Sequence, residues 1–357
     1  MNRSKIEWCD HTWNPITGCR HNCPYCYARR MPARFAGDVR LNKMARADYQ
    51  LINAADGSAA VYYLEKPMLN ETGNALVYPF GFEPTYHRYR MDTLDKLKMG
   101  NNIFVGAMAD IFGAWVPEKW IIDIFNVCMK RPQHNYMFLT KNPERYLELY
   151  AAGKLPEADN LFYGATVTRG VQLKRATKVF TDLPDEFHTF FSIEPILEDI
   201  AAKEIWQEAV LQTDWTIVGA QTGRRKDKVV PEMDWIRKIA VSADTAYGVP
   251  VFMKDSLIKI VGEANMRQEF PKQLMRSEMS FKMKKKLFGI CSMCNETLRK
   301  SNMVALSARV GRGETSKQFG FMCKKCFEKF CEELNMDAVG ILGVSESITI
   351  GTNDENG

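Results

Sequence analysis

From residue 102 onward, short apolar runs alternate with segments of helical spacing. The runs occupy residues 102–107, 135–140, 161–167, 189–193, 215–220 and 249–253. Between them lie helix-like segments at 117–130, 143–152, 170–180, 199–212 and 231–246, several of which start with proline, as first turns of helices do. Buried parallel strands are continuously apolar, and their alternation with helices predicts βα units. With one strand before residue 19, the pattern predicts an α/β protein with about seven strands in a partial or nearly complete parallel (β/α) barrel.

An open doubly wound sheet is the alternative architecture. It is less favoured because no Gly-rich phosphate-binding fingerprint follows the first strand.

Residues 48–86 interrupt this rhythm. The apolar runs 59–65 and 75–80 flank the turn-forming sequence NETGN, which predicts a hairpin inserted after the first barrel unit. Such an insertion is either a tolerated surface loop or a lid beside an active site. Both interpretations stay open.

The length of 357 residues accommodates a barrel of about 250 residues and a smaller module. Hydrophobic residues make up 46% and charged residues 25%, which is typical of a folded protein. The first ten residues contain no apolar signal core, and no apolar run approaches the roughly 18 residues of a membrane span. We therefore expect a cytoplasmic protein that does not cross a membrane. The net charge of +5 permits nucleic-acid binding without requiring it.

Seven of the ten cysteines fall in tight groups, which favours metal binding over disulfides. The first group is Cys19, Cys23 and Cys26, at the spacing C-x3-C-x2-C. Structural zinc takes four ligands, whereas a 4Fe-4S cluster held by three thiolates keeps one iron open for another molecule. A zinc knuckle that borrows His21 or Cys9 is the alternative, and the spacing alone does not exclude it.

This loop, with Tyr25 directly before the third cysteine, resembles the radical SAM superfamily. The blocks SKIEWCDHTWNPITGC, NIFVGAMADIFGAWVP, MFLTKNPERY, FFSIEPILEDI, WTIVGAQTG and PVFMK are similar, in order over residues 4–254, to a poorly characterised, phage-associated family of radical-SAM-like proteins. The resemblance implies a barrel of the radical SAM type. It also implies that the three cysteines bind three irons and that S-adenosylmethionine chelates the fourth. Reductive cleavage would then yield a 5′-deoxyadenosyl radical, with an electron donor such as a flavodoxin or ferredoxin.

Polar side chains follow the apolar runs, at the edge where a parallel barrel gathers its reactive groups. They are Asp110, Lys141, Thr166, Thr168, Glu194, Gln221 and Lys254. Any one of them is also compatible with ordinary solvated surface, so the regularity of the set is the evidence. We take Glu194 and Lys254 as the candidates for catalysis.

The resemblance suggests cofactor-binding roles for several residues. The backbone of Gly106 and Met108 would meet the methionyl amino group, with Asp110 as a substitute acceptor, because this segment departs from the Gly-Gly-Glu-like motif of the superfamily. The remaining cofactor candidates are Tyr25, Lys141 for the carboxylate, Thr166, Thr168 and Glu194 for the ribose, and Gln221 for adenine or substrate.

After residue 270 the βα rhythm stops. A basic linker (271–286) precedes two C-x2-C pairs, Cys291 with Cys294 and Cys323 with Cys326. Two such pairs form a four-thiolate set typical of structural zinc, while an auxiliary Fe-S cluster would use the same thiols. We predict a barrel domain at 1–270, a zinc-ribbon-like module at 287–342 and a disordered tail at 343–357.

The module carries the cations Arg299, Lys300, Arg309, Arg312, Lys317, Lys324 and Lys325, which suit phosphates or simply a solvated face. Together these features favour a radical SAM enzyme that modifies or repairs a nucleobase or nucleic acid. Radical modification of a protein or peptide is the alternative within the same chemistry. A non-catalytic zinc- and nucleic-acid-binding protein is the alternative of another class.

Overall fold

The computed structural model describes residues 2–97, 100–223, 228–243, 248–275, 288–290, 293–294, 297–299, 303–309, 316–333 and 347–350. The strands are β1 (Asn2–Arg3), β2 (His11–Trp13), β3 (Ile16–Thr17), β4 (Gln50–Ile52), β5 (Val61–Leu64), β6 (Thr85–His87), β7 (Asn102–Val105), β8 (Asn135–Thr140), β9 (Leu161–Thr166), β10 (His188–Ile193), β11 (Trp215–Val218), β12 (Val251–Met253), β13 (Phe288–Ile290), β14 (Thr297–Arg299), β15 (Met303–Arg309), β16 (Ser316–Cys323) and β17 (Ser347–Ile350). The helices are α1 (Pro32–Phe35), α2 (Val39–Met44), α3 (Glu118–Met129), α4 (Glu144–Ala151), α5 (Gly170–Asp182), α6 (Trp206–Leu211), α7 (Met233–Val241), α8 (Ile258–Val261) and α9 (Lys324–Glu333).

Seven parallel strands form the main sheet, in the order β2-β7-β8-β9-β10-β11-β12, with β1 antiparallel at the edge beside β2. Helices α3 to α7 connect successive strands from β7 to β12. Strands β8 and β9 are buried at almost every residue, as expected for parallel strands covered on both faces. The predicted partial (β/α) barrel is therefore confirmed.

One predicted helix is shorter than its sequence pattern. The pattern spans 199–212, but α6 covers only Trp206–Leu211. The Asp199 carboxylate accepts a hydrogen bond from the backbone N–H of Ala202 (3.1 Å), and the Lys203 N–H donates to the Ile200 carbonyl (3.2 Å). These local turns satisfy the backbone before the helix begins.

Large side chains fill the inner face of the curved sheet. Trp8 packs on Phe104 with ring centres 4.7 Å apart and on Trp215 at 6.1 Å, and Phe162 and Phe190 belong to the same buried cluster. Because side chains alternate along a strand, residues two positions beyond this layer point to the same side, at the carboxyl edge of the sheet. This buried aromatic cluster, here called the aromatic floor, therefore lies directly beneath the carboxyl edge of the sheet.

The insertion at 48–86 contributes to a second sheet, in the order β3-β6-β5-β4. Strand β5 pairs antiparallel with β4 and parallel with β6. Residues 75–80 do not form the expected partner strand; only Leu69 and Ala75 make an isolated bridge around the NETGN turn. Pro79 lacks the N–H that a ladder needs, and Phe80 instead stacks on Tyr62 with ring centres 3.9 Å apart.

In the C-terminal part, β13 pairs with β14, and β15 lies between β16 and β17. Helix α9 follows β16 directly. Residues 276–286 of the predicted linker, and Cys291, lie outside the described residues. Of the tail predicted to be disordered, 347–350 form β17, and its other residues also lie outside the described part. No helix in the part of the chain that the structure describes is long and apolar enough to cross a membrane.

Candidate active site

A cavity of about 290 Å³ opens at the carboxyl edge of the parallel strands. Twelve of the residues singled out in the sequence line it: Cys19, Cys23, Tyr25, Cys26, Gly106, Met108, Asp110, Lys141, Thr166, Glu194, Gln221 and Lys254. These positions lie on loops that follow at least six different elements, so the fold brings together groups that are far apart in the chain. Its apolar lining includes Trp8 and Phe104 of the aromatic floor.

Thr168 is the exception among the predicted residues. It is buried, and its hydroxyl donates to the side-chain oxygen of Gln172 (2.7 Å) at the start of α5. It also hydrogen-bonds Tyr25. Burial, reinforced by the nearby Cys23, raises the pKa of Tyr25 to about 12, while the bond to Thr168 opposes the rise. Thr168 therefore contacts the cysteine loop instead of lining the cavity.

The cysteine loop leaves β3 through Gly18, whose φ is +85°. A β-carbon there would lie 2.3 Å from the carbonyl oxygen of Glu83, so only glycine fits. The loop is held by the backbone: Cys19 N–H donates to the Phe82 carbonyl (3.1 Å) and Gly18 N–H to the Met108 carbonyl (3.0 Å). The inserted segment and the strand β7 loop thus fix the position of the first cysteine.

The three sulfurs of the cysteine loop do not form a compact group in this structure. Among the described residues, only Cys294, Cys323 and Cys326 place three metal-binding atoms within 4.8 Å of one another. The sulfurs of Cys19, Cys23 and Cys26 are therefore spread more widely than the roughly 3.8 Å that follows from tetrahedral Zn–S bonds of about 2.3 Å.

Neither proposed fourth zinc ligand joins the three thiols in a compact site. Cys9 is buried in the aromatic floor cluster, and the His21 ring bonds to Asp110. Burial, and then the charge of Asp110, raise the pKa of the Cys19 thiol to about 12. At neutral pH this thiol is therefore protonated unless a positive charge lies beside it.

Asp110 is a buried connection between the cysteine loop and two strand ends. Its carboxylate accepts four hydrogen bonds, from His21 Nε2 (2.7 Å), the Thr140 hydroxyl (2.7 Å) and the backbone N–H groups of Lys141 (2.9 Å) and Phe112 (3.1 Å). Burial alone would raise the pKa of Asp110, but the hydrogen bonds and the nearby His21 outweigh it and lower the pKa. These four bonds use the acceptor capacity of the carboxylate.

Glu194 and Lys254, the two candidates for catalysis, form an ion pair at the cavity wall. Lys254 Nζ lies 2.5 Å from Glu194 Oε1 and 3.8 Å from a carboxylate oxygen of Glu7. Burial alone would lower the pKa of Lys254, but the two carboxylates raise it overall. Gly219 makes room for the pair, since a β-carbon there would come within 3.1 Å of the Lys254 side chain.

The cavity also contains residues that the sequence reasoning missed. Ser192 lines it, and strand alternation could have identified it because it lies two positions before Glu194 on the same face of β10. Phe82 and Tyr27 line it as well. No sequence signal pointed to Phe82, because it comes from the insertion.

The second cysteine group also lies together. Cys294 Sγ is 3.9 Å from Cys323 Sγ, and the Cys326 N–H donates to Cys323 Sγ (3.3 Å). The sulfur separation matches the value of about 3.8 Å expected for tetrahedral zinc. The fourth predicted ligand, Cys291, lies outside the described residues.

The fold and this cavity define a partial (β/α) barrel with a three-cysteine loop at its mouth. The chain belongs to the family described as "Protein of unknown function (DUF5131)", whose model matches residues 3–263. No curated protein matches it.

Two solved structures are similar to the chain. One is "Spore photoproduct lyase complexed with dinucleoside spore photoproduct", with 8% identity, a TM-score of 0.36, and coverage of 98% of this chain and 79% of that one. The other is a double mutant of spore photoproduct lyase with bound AdoMet and dinucleoside spore photoproduct, with 9% identity, a TM-score of 0.32, and coverage of 98% of this chain and 78% of that one. At these values the likeness carries no inference about activity.

Proposed function

We propose that this protein is a radical SAM enzyme. Cys19, Cys23 and Cys26 hold a 4Fe-4S cluster, and S-adenosylmethionine occupies the cavity beside it. The observation that carries the proposal is the convergence of three widely spread thiols with the polar groups of several strand ends on one cavity. Its substrate, we infer, is a nucleobase or a nucleic acid.

When bound, the cluster and S-adenosylmethionine together supply a 5′-deoxyadenosyl radical that abstracts a hydrogen atom. The chain supplies position and shielding. Lys141 Nζ lies 5.8 Å from the ring centre of Tyr25, so it brings a positive charge to the cysteine loop, where it would bind the cofactor carboxylate. Gly106 has a φ of +83°, and a β-carbon there would lie 2.8 Å from Ile111. Its backbone lines the cavity and, with that of Met108, would meet the methionyl amino group.

Asp110 acts as a positioning residue in this proposal. Its four protein hydrogen bonds leave little capacity for a cofactor amino group, although the sequence suggested it as an acceptor. It instead orients His21 beside the cysteines and fixes the backbone at Lys141. Thr166, with Gln221, would bind the ribose and the base.

The Glu194–Lys254 pair presents an acceptor and a donor to the substrate side of the cavity. The carboxylates of Glu194 and Glu7 keep Lys254 protonated at neutral pH, because they raise its pKa above the usual value of 10.5. The aromatic floor under the pair, with Trp8 and Phe104, keeps water from entering through the barrel. Such shielding protects a reactive radical from side reactions.

Cys294, Cys323 and Cys326 would bind structural zinc, with Cys291 as the fourth ligand. The 3.9 Å sulfur separation supports zinc in this module. An auxiliary Fe-S cluster is the other candidate. Measuring iron and zinc in the purified chain, with and without substitutions in each cysteine group, separates the two.

Anaerobic purification and reconstitution test the enzyme proposal. We expect a brown protein that converts S-adenosylmethionine to 5′-deoxyadenosine in the presence of a reductant such as flavodoxin, ferredoxin or dithionite. A colourless protein that contains only zinc and leaves S-adenosylmethionine intact would instead establish a binding protein.

The substrate is tested separately. Host and phage nucleic acids, incubated with the active protein or with its Cys23→Ala variant, are digested and compared by mass spectrometry of their nucleosides. A nucleoside that changes only with the active protein supports the proposal. A change confined to proteins in the same mixture would establish the peptide-modifying alternative.

A further inference from the structure

A strongly basic stretch of the chain lies beside the cysteine loop. Residues 27–46, here called the basic segment, contain Arg29, Arg30, Arg34, Arg40, Lys43 and Arg46 against a single acid, Asp38. Its net charge of +5 equals that of the whole chain, so the other 337 residues balance with 42 cations and 42 acids. The segment is therefore a local concentration of positive charge on the chain.

The six cations of the basic segment are all exposed. Of these six cations, all of which the structure describes, only Arg40 forms an ion pair with an acid. Its contact with Asp38 is long, at 3.5 Å, and 91% of the arginine side chain is exposed. Exposed pairs of this kind contribute little. The charge is thus available to a partner.

The basic segment begins at the mouth of the cavity. Tyr27 and Ala28 line the cavity, and the Tyr27 hydroxyl donates to the Ala107 carbonyl (2.8 Å). The guanidinium of Arg29 lies 5.0 Å from the ring centre of Phe82, which also lines the cavity. A polyanion that follows the segment would therefore reach the candidate active site.

Two aromatic side chains of the segment are unusually exposed. Tyr27 has 59% and Phe35 39% of its surface accessible, and the Arg34 guanidinium lies 5.6 Å from the Phe35 ring centre. Cations interleaved with exposed aromatic rings are the elements with which proteins bind single-stranded nucleic acid, because phosphates contact the cations and bases stack on the rings.

We propose that the basic segment is a docking surface for single-stranded nucleic acid, which it guides towards the cavity. This inference rests on the proposed function. It adds that the substrate docks on the basic segment and that it is single-stranded. A single strand suits the site because enzymes that act on a base need it outside the duplex. An anionic membrane is a poorer partner, since α2 has six residues whereas interfacial helices often have about 20–30.

Binding of a fluorescent single strand to the full-length protein tests this surface. The probe is a mixed-sequence DNA or RNA of about 20 nucleotides, longer than the roughly 4–16 nucleotides that one binding fold covers. The test variant carries Arg30→Gln, Arg34→Gln and Arg40→Gln. Its matched control carries Lys119→Gln, Lys178→Gln and Arg237→Gln, which remove the same charge from exposed positions on α3, α5 and α7.

We expect the test variant to lose affinity by about 10- to 100-fold at 0.1 M salt. The slope of log K against log salt should become shallower by about 2, because each phosphate contact on a single strand contributes about 0.7. The control variant should bind like the wild type. Circular dichroism of both variants establishes that they are folded.

Equal losses in the two variants, or stronger binding of an equally charged polyglutamate or of phosphatidylserine vesicles, would overturn the docking surface. Formation of 5′-deoxyadenosine by the wild-type protein is measured in parallel. Cleavage without nucleic-acid binding refutes this inference but leaves the enzyme proposal standing. Binding of nucleic acid by the basic segment without cleavage of S-adenosylmethionine supports this inference and refutes the enzyme proposal.

Discussion

Replacing Asp110 with asparagine tests how the cysteine loop is held. The amide nitrogen of asparagine cannot accept a hydrogen bond, so one of the two pairs of donors around this side chain loses its acceptor. If the nitrogen faces His21 and Lys141, the histidine can accept from it in its other tautomer, but the Lys141 N–H remains unsatisfied. A buried donor without an acceptor costs about 1–3 kcal/mol, and the other bonds lose the strength that the charge gives them.

We therefore expect a loss of about 2–4 kcal/mol in the free energy of unfolding, the sum of one lost bond and three weakened ones. With an unfolding entropy of about 2.1 cal/mol/K per residue, each kcal/mol lowers the melting temperature of a 357-residue chain by about 1.3 °C, which gives a decrease of roughly 3–5 °C. Thermal unfolding followed by circular dichroism measures it. The matched control is Asp123→Asn, which removes a partly exposed carboxylate 3.3 Å from Lys119 on α3 and should cost less than about 1 kcal/mol.

The effect should also depend on pH. The pKa of Asp110 is lowered from its usual value of 3.8, so its contribution is present above that pH and is lost as the pH falls through the folded-state pKa. The difference in stability between wild type and Asp110→Asn should therefore shrink in acid. A melting temperature equal to that of the Asp123→Asn control at neutral pH would refute the assigned role of Asp110.

Three further predictions concern the two metal sites and the ion pair. Cys23→Ala should abolish iron binding and S-adenosylmethionine cleavage, measured by iron analysis and chromatography, while zinc content stays unchanged; normal cleavage would contradict the ligand assignment. Cys294→Ala should remove zinc and increase proteolysis of the C-terminal module with cleavage largely retained, and a loss of iron instead would identify a second cluster. Glu194→Gln should destabilise the protein in urea unfolding. Because the pKa of Lys254 is raised above 10.5, that destabilisation is present from neutral pH up to this value and should shrink as the pH rises further; a difference that stays constant across this alkaline range would argue against the pair.

The barrel could be predicted from the sequence because its signal is local. The run at 135–140 has an apolar centre, residues 136–139, and forms β8 with the expected bounds. The same rule predicted that Glu194 and Lys254 lie at one edge, since both follow buried strands. Their ion pair could not be predicted, because it depends on the spatial order of β10, β11 and β12.

The interactions around Asp110 were missed for a similar reason. Its hydrogen-bond donors come from the cysteine loop, from its own loop and from the end of β8, so no spacing in the sequence records them. In the insertion, strand propensity predicted a strand at 75–80, but no strand forms there. Pro79 cannot donate to a strand ladder, and Phe80 stacks on Tyr62. Helix α6 was overpredicted because Asp199 favours a turn over a first helical turn.

The central claim is that the three-cysteine loop leaves one iron open and that S-adenosylmethionine binds it. Electron paramagnetic resonance of the anaerobically reduced full-length protein tests this directly. We predict a 4Fe-4S signal whose shape changes when S-adenosylmethionine is added, and which disappears in Cys23→Ala. A signal that S-adenosylmethionine leaves unchanged, or one that survives in that variant, would contradict the account.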